Sequence, residues 1–188
     1  MKGQAQRIVL SSARKFINMG ALSRLWNLFK KIHSADIASI LNHLTNREKL
    51  IIFNVLYEKD PEKAAEVLSE LDPEDAAQIL KELPIKQISE IFQLIASDDI
   101  APILQQLPEE MQTAVLEEME EKPSEEVKEL LHYDEETAGR IMSTNFYALN
   151  QNTNVSDAIT AMQLEGDVES AFYLYVVDDE GHLVGVVS

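Results

Sequence analysis

Cysteine is absent from the 188 residues, which excludes both a disulfide framework and a thiolate metal site. No apolar run approaches the roughly 18–20 residues that a membrane-spanning helix requires. The longest candidates, Leu50–Phe53 and Phe172–Val177, have the length of core segments. The amino terminus lacks an apolar stretch followed by a small-residue cleavage site, so no secretory signal is expected. Together these absences predict a soluble, cytosolic chain. The four histidines (His33, His43, His132 and His182) are scattered and form no HExxH spacing, which argues against a zinc or hydrolytic centre. No glycine-rich phosphate loop occurs and no nucleophile–base set stands out, so an enzyme is not expected.

Acid is also missing, but only at one end. Before Asp36 there are seven basic residues (Lys2, Arg7, Arg14, Lys15, Arg24, Lys30 and Lys31) and no carboxylate. From Asp36 onward nine basic residues face thirty-three acids, a balance of −24 within a total of −17. Such a field repels nucleic acid and attracts cations, so no nucleic-acid partner is expected. Residues 1–32 read as one basic amphipathic helix, with Ile8, Phe16, Leu22, Leu25, Trp26, Phe29 and Ile32 among the charges. A helix of this kind can lie on an anionic membrane surface or pack against the acidic helices that follow.

What the chain does have is a repeat. Val55, Val67, Ile79, Ile91, Ile103 and Val115 lie twelve residues apart, as do Leu56, Leu68, Leu80, Phe92, Leu104 and Leu116. A third column runs Leu71, Leu83, Ile95, Leu107 and Met119, and small residues keep phase at Ala65, Ala77, Ser89 and Ala101. A fixed period of this kind marks a stacked array. Twelve residues of unbroken helix turn through about 1200°, about 120° beyond three turns, so one long helix would wind its apolar stripe around itself. The period therefore predicts short helices joined by tight turns. Asp60-Pro61-Glu62 and Asp72-Pro73-Glu74 supply an N-cap, a first-turn proline and an acid at the positive helix end; Pro84 and Pro108 punctuate further units. Ala64, Val67, Leu68 and Leu71 form one buried face by their spacing. The stack covers residues 33–130.

The composition changes after Leu131. Phe146–Leu149 reads as a strand, Val155–Leu164 as a helix capped near Thr153 or Ser156, and Phe172–Val177 as a buried strand. Asp178-Asp179-Glu180-Gly181 then turns into a last strand, Leu183–Val187. This β-α-β-β order stops directly after a strand, as half a module or a truncated one would. Its uncovered apolar sheet face predicts dimerisation or local disorder over residues 144–188.

Glu62, Glu66 and Glu70 recur at four-residue spacing on one helix. Like charges so placed repel by a few tenths of a kcal/mol per pair. A divalent cation would relieve that repulsion, and magnesium suits it because it takes carboxylate oxygen and keeps several waters. A solvated acidic face accounts for the same spacing, as it does for the acid-dense run Glu117–Glu136.

Two segments then carry a resemblance. Residues His132-Tyr133-Asp134-Glu135-Glu136-Thr137-Ala138-Gly139-Arg140-Ile141-Met142-Ser143 resemble the junction between the cytosolic domains of MgtE-type magnesium transporters. Residues Tyr173 to Ser188 resemble the hairpin of their first CBS (cystathionine-β-synthase-type) motif. Upstream, His33-Ser34-Ala35-Asp36-Ile37-Ala38 and Ala64-Ala65-Glu66-Val67-Leu68 are similar to their superhelical amino-terminal domain. The resemblance covers residues 33–188. It implies a mainly α fold, a right-handed superhelix of short helices followed by a partial α+β unit of CBS type. The implied division is a basic helix (1–32), the superhelical domain (33–130), a junction (131–143) and an incomplete first CBS motif (144–188).

The resemblance also implies a function: a magnesium-sensing regulatory region that gates a pore through magnesium-dependent domain association. Magnesium ions are the implied cofactor, with Glu66 and Asp98 aligned to family ligands and Asp99 beside them. Pro102 stands where the family places a further acid, which removes one carboxylate of an interdomain site and also a helical amide donor. The implied partners are the protein's own transmembrane pore domain and a second CBS motif, both beyond this chain, and a second copy in a homodimer. Full-length, the protein would sit at the cytoplasmic face of the plasma (inner) membrane. Two other readings stand beside this one. One is a protein-interaction scaffold of the flagellar motor switch type, which also uses short-helix superhelices; the other is a CBS nucleotide sensor.

Overall fold

A computed structural model of the chain describes residues 3–134, 136–143, 146–164 and 173–187. The chain divides into two compact units, one reaching to Ile141 and the other starting at Met142. The fold is mainly α, with a small sheet confined to the second unit.

The first unit holds ten α-helices among the described residues: α1 (Gly3–Asn18), α2 (Leu22–Phe29), α3 (Ser34–Leu41), α4 (Asn46–Lys59) and α5 (Pro61–Ser69), then α6 (Pro73–Leu80), α7 (Ile85–Phe92), α8 (Ser97–Gln105), α9 (Glu109–Glu118) and α10 (Glu121–His132). From α5 to α10 successive helices begin twelve residues apart, the period of the sequence. The three apolar columns point inward. All members are buried except Leu116, which is half-buried. Ala65, Ala77, Ser89 and Ala101 are buried as well, and their small size lets neighbouring helices approach.

The third column has a second task. The backbone amides of Leu71, Leu83, Ile95 and Leu107 each donate to the carbonyl three residues earlier, at 3.0–3.3 Å, and Leu44, ahead of the column, does the same at 2.9 Å. This tightened turn closes the helix while the same residue's side chain enters the core. The repeat thus ends its helices without a left-handed glycine. Helix starts are fixed by capping: Asp60 accepts from the Lys63 amide at 3.1 Å ahead of Pro61, and Thr45 with Glu48 makes a reciprocal capping box on α4. Asp72 occupies the N-cap of α6 as expected, but its side chain makes no capping hydrogen bond.

Apart from the consecutive pairs α1–α2 and α4–α5, the main spatial neighbours are two helices apart. α2 packs on α4, α3 on α5, α4 on α6, α5 on α7, α6 on α8, α7 on α9 and α8 on α10. The stack is therefore two interleaved rows, with twenty-four residues between equivalent positions from α5 onward. Polar side chains link neighbours within each row: Lys49 of α4 to Asp75 of α6 at 2.6 Å, Ser97 Oγ of α8 to Glu126 Oε2 of α10 at 2.9 Å, and Ser89 Oγ of α7 to the Glu118 carbonyl of α9 at 3.1 Å.

Residues 1–32 correct the sequence expectation. The described part, from Gly3 onward, forms two helices rather than one, because the chain turns at Gly20 in the left-handed region (φ +63°). The Ala21 amide donates to the Phe16 carbonyl at 2.9 Å and Gly20 to Ile17 at 3.0 Å, the pairing of a Schellman stop. Both helices pack on the stack, with Ala13, Leu25 and Phe29 fully buried.

The second unit is β1 (Ala148–Asn150), α11 (Val155–Leu164), β2 (Leu174–Val177) and β3 (Leu183–Val187). β1 runs parallel to β2 and β2 antiparallel to β3. The first strand begins two residues later than expected: Phe146 precedes it, and Phe172, the expected start of the next strand, lies outside the described residues. The helix cap is Asn154, whose Oδ1 accepts from the Asp157 amide at 3.0 Å, rather than Thr153 or Ser156. The turn residue Asp178 accepts from the amides of Glu180 and His182, both at 2.9 Å, and Gly181 supplies the positive φ (+85°). Leu183, Val184, Val186 and Val187 of β3 are all more than half exposed.

Candidate functional site

The first turn of α8 carries two carboxylates, Asp98 and Asp99, at the positive end of the helix dipole. Ala96 at the N-cap offers no side-chain acceptor there. Pro102 inside the helix cannot donate to the Asp98 carbonyl, so the first turn lacks one rung. Asp98 is half-buried, and its Oδ1 is enclosed without a hydrogen-bond partner. Asp99 is exposed. Both line a cavity of about 450 Å³ within the first unit, together with Pro102, Gln105, Arg140 and Ile141.

Arg140 belongs to a single 3-10 turn (Ala138–Ile141) that packs on α10. It is 6% exposed. Its Nη1 donates to the Leu130 carbonyl at 2.9 Å, in the last turn of α10, where a cation meets the negative helix end. Its Nη2 is buried without a partner. Asp98 and Arg140 thus share one cavity wall and each keeps an enclosed atom without a partner, although no ion pair within 4 Å joins the two. A buried polar group left unpaired costs about 1–3 kcal/mol, and space of this size admits water or an ion.

Glu66 lies elsewhere. It is exposed on α5, and its Oε2 accepts from Ser34 Oγ at 2.6 Å. Glu62 and Glu70 are also exposed. α5 packs on α3, α4 and α7, whereas α8 packs on α6 and α10. The structure thus brings Asp98 and Asp99 together and keeps Glu66 in the other row. Among the described residues, no three His, Cys, Asp or Glu side chains gather as a ready metal cage. Magnesium does not demand one, because it retains several waters and binds through one or two carboxylates. Asp98 and Asp99, side by side on a cavity of about 450 Å³, fit such an ion.

Arg140 is the participant that the sequence reading passed over. The signal was there: it is the only lysine or arginine after Lys128. A lone cation in a long acidic tract, placed in a turn, has many potential partners and a reason to be buried.

The second unit has a cavity of its own, of about 420 Å³, lined by Ser143, Phe146, Tyr175, Val177, Gly181 and Leu183. Phe146 and Tyr175 meet edge to face, with ring centroids 5.8 Å apart and planes at 87°. Among the described residues no helix is long and apolar enough to cross a membrane.

Comparison with known proteins agrees with this architecture. The family model of the MgtE intracellular N domain matches residues 32–136, and that of the CBS domain matches residues 138–188. The magnesium transporter MgtE of Enterococcus faecalis is 50% identical over 64 residues, which cover 34% of this chain and 14% of that protein. MgtE of Thermus thermophilus is 34% identical over 64 residues, again 34% of this chain and 14% of that one. MgtE of Bacillus subtilis is 35% identical over 66 residues, or 35% and 15%. The matched segment thus spans about one seventh of these relatives. Among solved structures, the cytosolic domain of the Mg2+ channel MgtE in complex with ATP superposes with a TM-score of 0.83 at 29% identity, covering 95% of this chain and 73% of that one. The soluble part of a magnesium transporter has the same fold, with a TM-score of 0.78 at 24% identity over 97% of this chain and 72% of that one. A stack of twelve-residue helical units followed by a β-α-β-β unit, matched by both family models, makes this chain a member of the MgtE family, with an MgtE intracellular N domain and a CBS domain.

Proposed function

We propose that the chain is the magnesium-sensing regulatory region of a magnesium transporter or channel, acting by binding rather than by catalysis. The observation that carries this reading is the pair Asp98 and Asp99 lining one cavity of about 450 Å³, with one Asp98 oxygen left without a partner. The balance of −24 after Asp36 adds to it, because such a surface concentrates divalent cations and repels other acidic surfaces. Asp98 and Asp99 would hold one magnesium ion through one or two carboxylate oxygens and its waters, and Glu66 would contribute separately from α5. Bound magnesium would neutralise these carboxylates and favour association of the cytosolic domains. Its loss would restore the repulsion and release the pore. The site would work at the cytoplasmic face of the membrane, in a homodimer, beside a second CBS motif and a transmembrane pore.

Small-angle scattering of the intact parent protein with and without millimolar magnesium tests this reading. Compaction with magnesium is expected, and E66A/D98A should lose it. A profile indifferent to magnesium, or a double variant that responds as the wild type does, rejects the proposal.

One specific observation favours a second reading. The Phe146–Tyr175 cavity offers aromatic surface of the kind that stacks on a purine, and the similar cytosolic domain of MgtE was crystallised with ATP. Calorimetry with ATP decides it: binding that Tyr175→Ala weakens supports a nucleotide site in the second unit, and absence of heat excludes it.

A further inference from the structure

Asp98 and Arg140 hold opposite charges at opposite kinds of helix end. Asp98 stands in the first turn of α8, and Arg140 caps the Leu130 carbonyl in the last turn of α10. α8 and α10 pack directly on one another in one row. Each residue presents one enclosed atom with no partner, Oδ1 on the acid and Nη2 on the base, and both residues line the same cavity. An arginine guanidinium brings a fixed positive charge. Opposite charges on the wall of one cavity attract each other without direct contact.

We propose that Arg140 is the resident counter-cation of Asp98: a charge built into the chain that a divalent ion must compete with at this carboxylate. The inference rests on the reading of Asp98 as a magnesium ligand and adds what sets its affinity. A fixed positive charge beside the site weakens binding of a doubly charged ion by direct repulsion and by engaging the carboxylate. It also places the threshold of the sensor higher than Asp98 and Asp99 alone would. Because the 3-10 turn holding Arg140 packs on α10, displacement of its charge from Asp98 bears directly on the position of that turn.

The test measures Mn2+ binding by the electron paramagnetic resonance signal of the free ion, and Mg2+ binding by calorimetry, in the 188-residue chain. R140Q removes the charge and should tighten binding by about tenfold at low ionic strength, with the gain shrinking as salt is added. R140K keeps the charge and should stay within about twofold of wild type by the same argument. In a D98N background, R140Q should change nothing. Circular dichroism reports whether each variant folds. Should R140Q not fold, Q105K places a second cation on the same cavity wall and should weaken binding by a similar factor.

Affinity of R140Q equal to or below wild type overturns the inference, as does an unchanged affinity in Q105K. The two layers separate cleanly. If D98N leaves binding untouched, Asp98 is no ligand and the functional reading fails at this site. If D98N weakens binding while R140Q leaves it unaltered, Arg140 is a structural cap of α10 and only the present inference fails.

Discussion

Ser34, the first residue of α3, gives its hydroxyl proton to Glu66 on α5 at 2.6 Å. Ser97, the first residue of α8, does the same for Glu126 on α10 at 2.9 Å. In both cases a buried serine at a helix start grips a glutamate of the next helix in its own row. For Glu66 the bond has a functional side, since it engages one oxygen of a candidate magnesium ligand. Ser34→Ala should therefore destabilise the first unit by about 1 kcal/mol and free that oxygen. The expected result is a lower urea midpoint with unchanged slope, together with magnesium binding at Glu66 that is as tight as wild type or tighter. Weaker binding would mean that Ser34 positions the carboxylate for the ion.

Lys49 is a buried cation in the middle of a helical stack, 5% exposed, with its Nζ 2.6 Å from Asp75 Oδ1. α4 and α6 are joined there by charge rather than by apolar contact alone. Removal of the acid leaves an ammonium that burial penalises, and such broken pairs cost about 3–5 kcal/mol when both partners are enclosed. Asp75 is 32% exposed, which lets water soften the loss. Asp75→Ala should cost about 2 kcal/mol in chemical denaturation, and Lys49→Met, which swaps the cation for apolar volume, should stay within about 1 kcal/mol of wild type. Equal losses in the two variants would show that packing of the lysine stem matters more than the pair.

These ties within each row show what could and could not be read from the sequence. The period of twelve was legible because every unit buries the same three columns, so Val67, Leu68 and Leu71 announce what Ile79, Leu80 and Leu83 repeat. The spatial period of twenty-four was not, because both rows use the same pattern and nothing in it says which helix touches which. The stop at Gly20 was hidden for a different reason: basic and apolar residues continue across it, and the pattern alone does not report a Schellman turn. Thr45 and Glu48, a capping box, carried a local signal that went unused. At the site, Asp98 and Asp99 were legible as a pair of first-turn acids. The charge of Arg140 stood out, but its place did not, because the Leu130 carbonyl it caps lies ten positions upstream and the cavity it shares with Asp98 exists only in the fold.

Gly139 in the Thr-Ala-Gly junction has a steric reason. A Cβ placed there would stand 2.5 Å from Cδ1, 2.7 Å from Cε1 and 2.8 Å from Cγ of Tyr133. The ring lies over the glycine so closely that any side chain must push it away or shift the 3-10 turn. Gly139→Ala should destabilise the junction by about 1–3 kcal/mol, the usual cost of overpacking. Tyr133→Ala should restore most of that loss in the double variant, because it removes the atoms in the way. Amide exchange of residues 138–141 reads the effect locally. An additive double variant would place the cost in the backbone of the turn instead.

Asp178 ties the hairpin of the second unit together from a single carboxylate. The His182 amide donating to it holds its pKa below the ordinary value against a small effect of burial, and the Glu180 amide, the His182 ring and the Gly181 amide add to the lowering. A carboxylate whose folded pKa is depressed stabilises the fold above its unfolded pKa, and that contribution disappears as pH falls through the folded value. The hairpin should therefore hold at pH 5 and loosen only below the usual aspartate range. Amide chemical shifts of Glu180 and His182, followed from pH 5 to 2, should titrate together at that lower pH. Asp178→Asn keeps an acceptor oxygen but cannot ionise, so its hairpin amides should lose this acid transition. A transition at the ordinary aspartate value would show that the turn gains nothing from the charge, and that backbone geometry around Gly181 alone holds it.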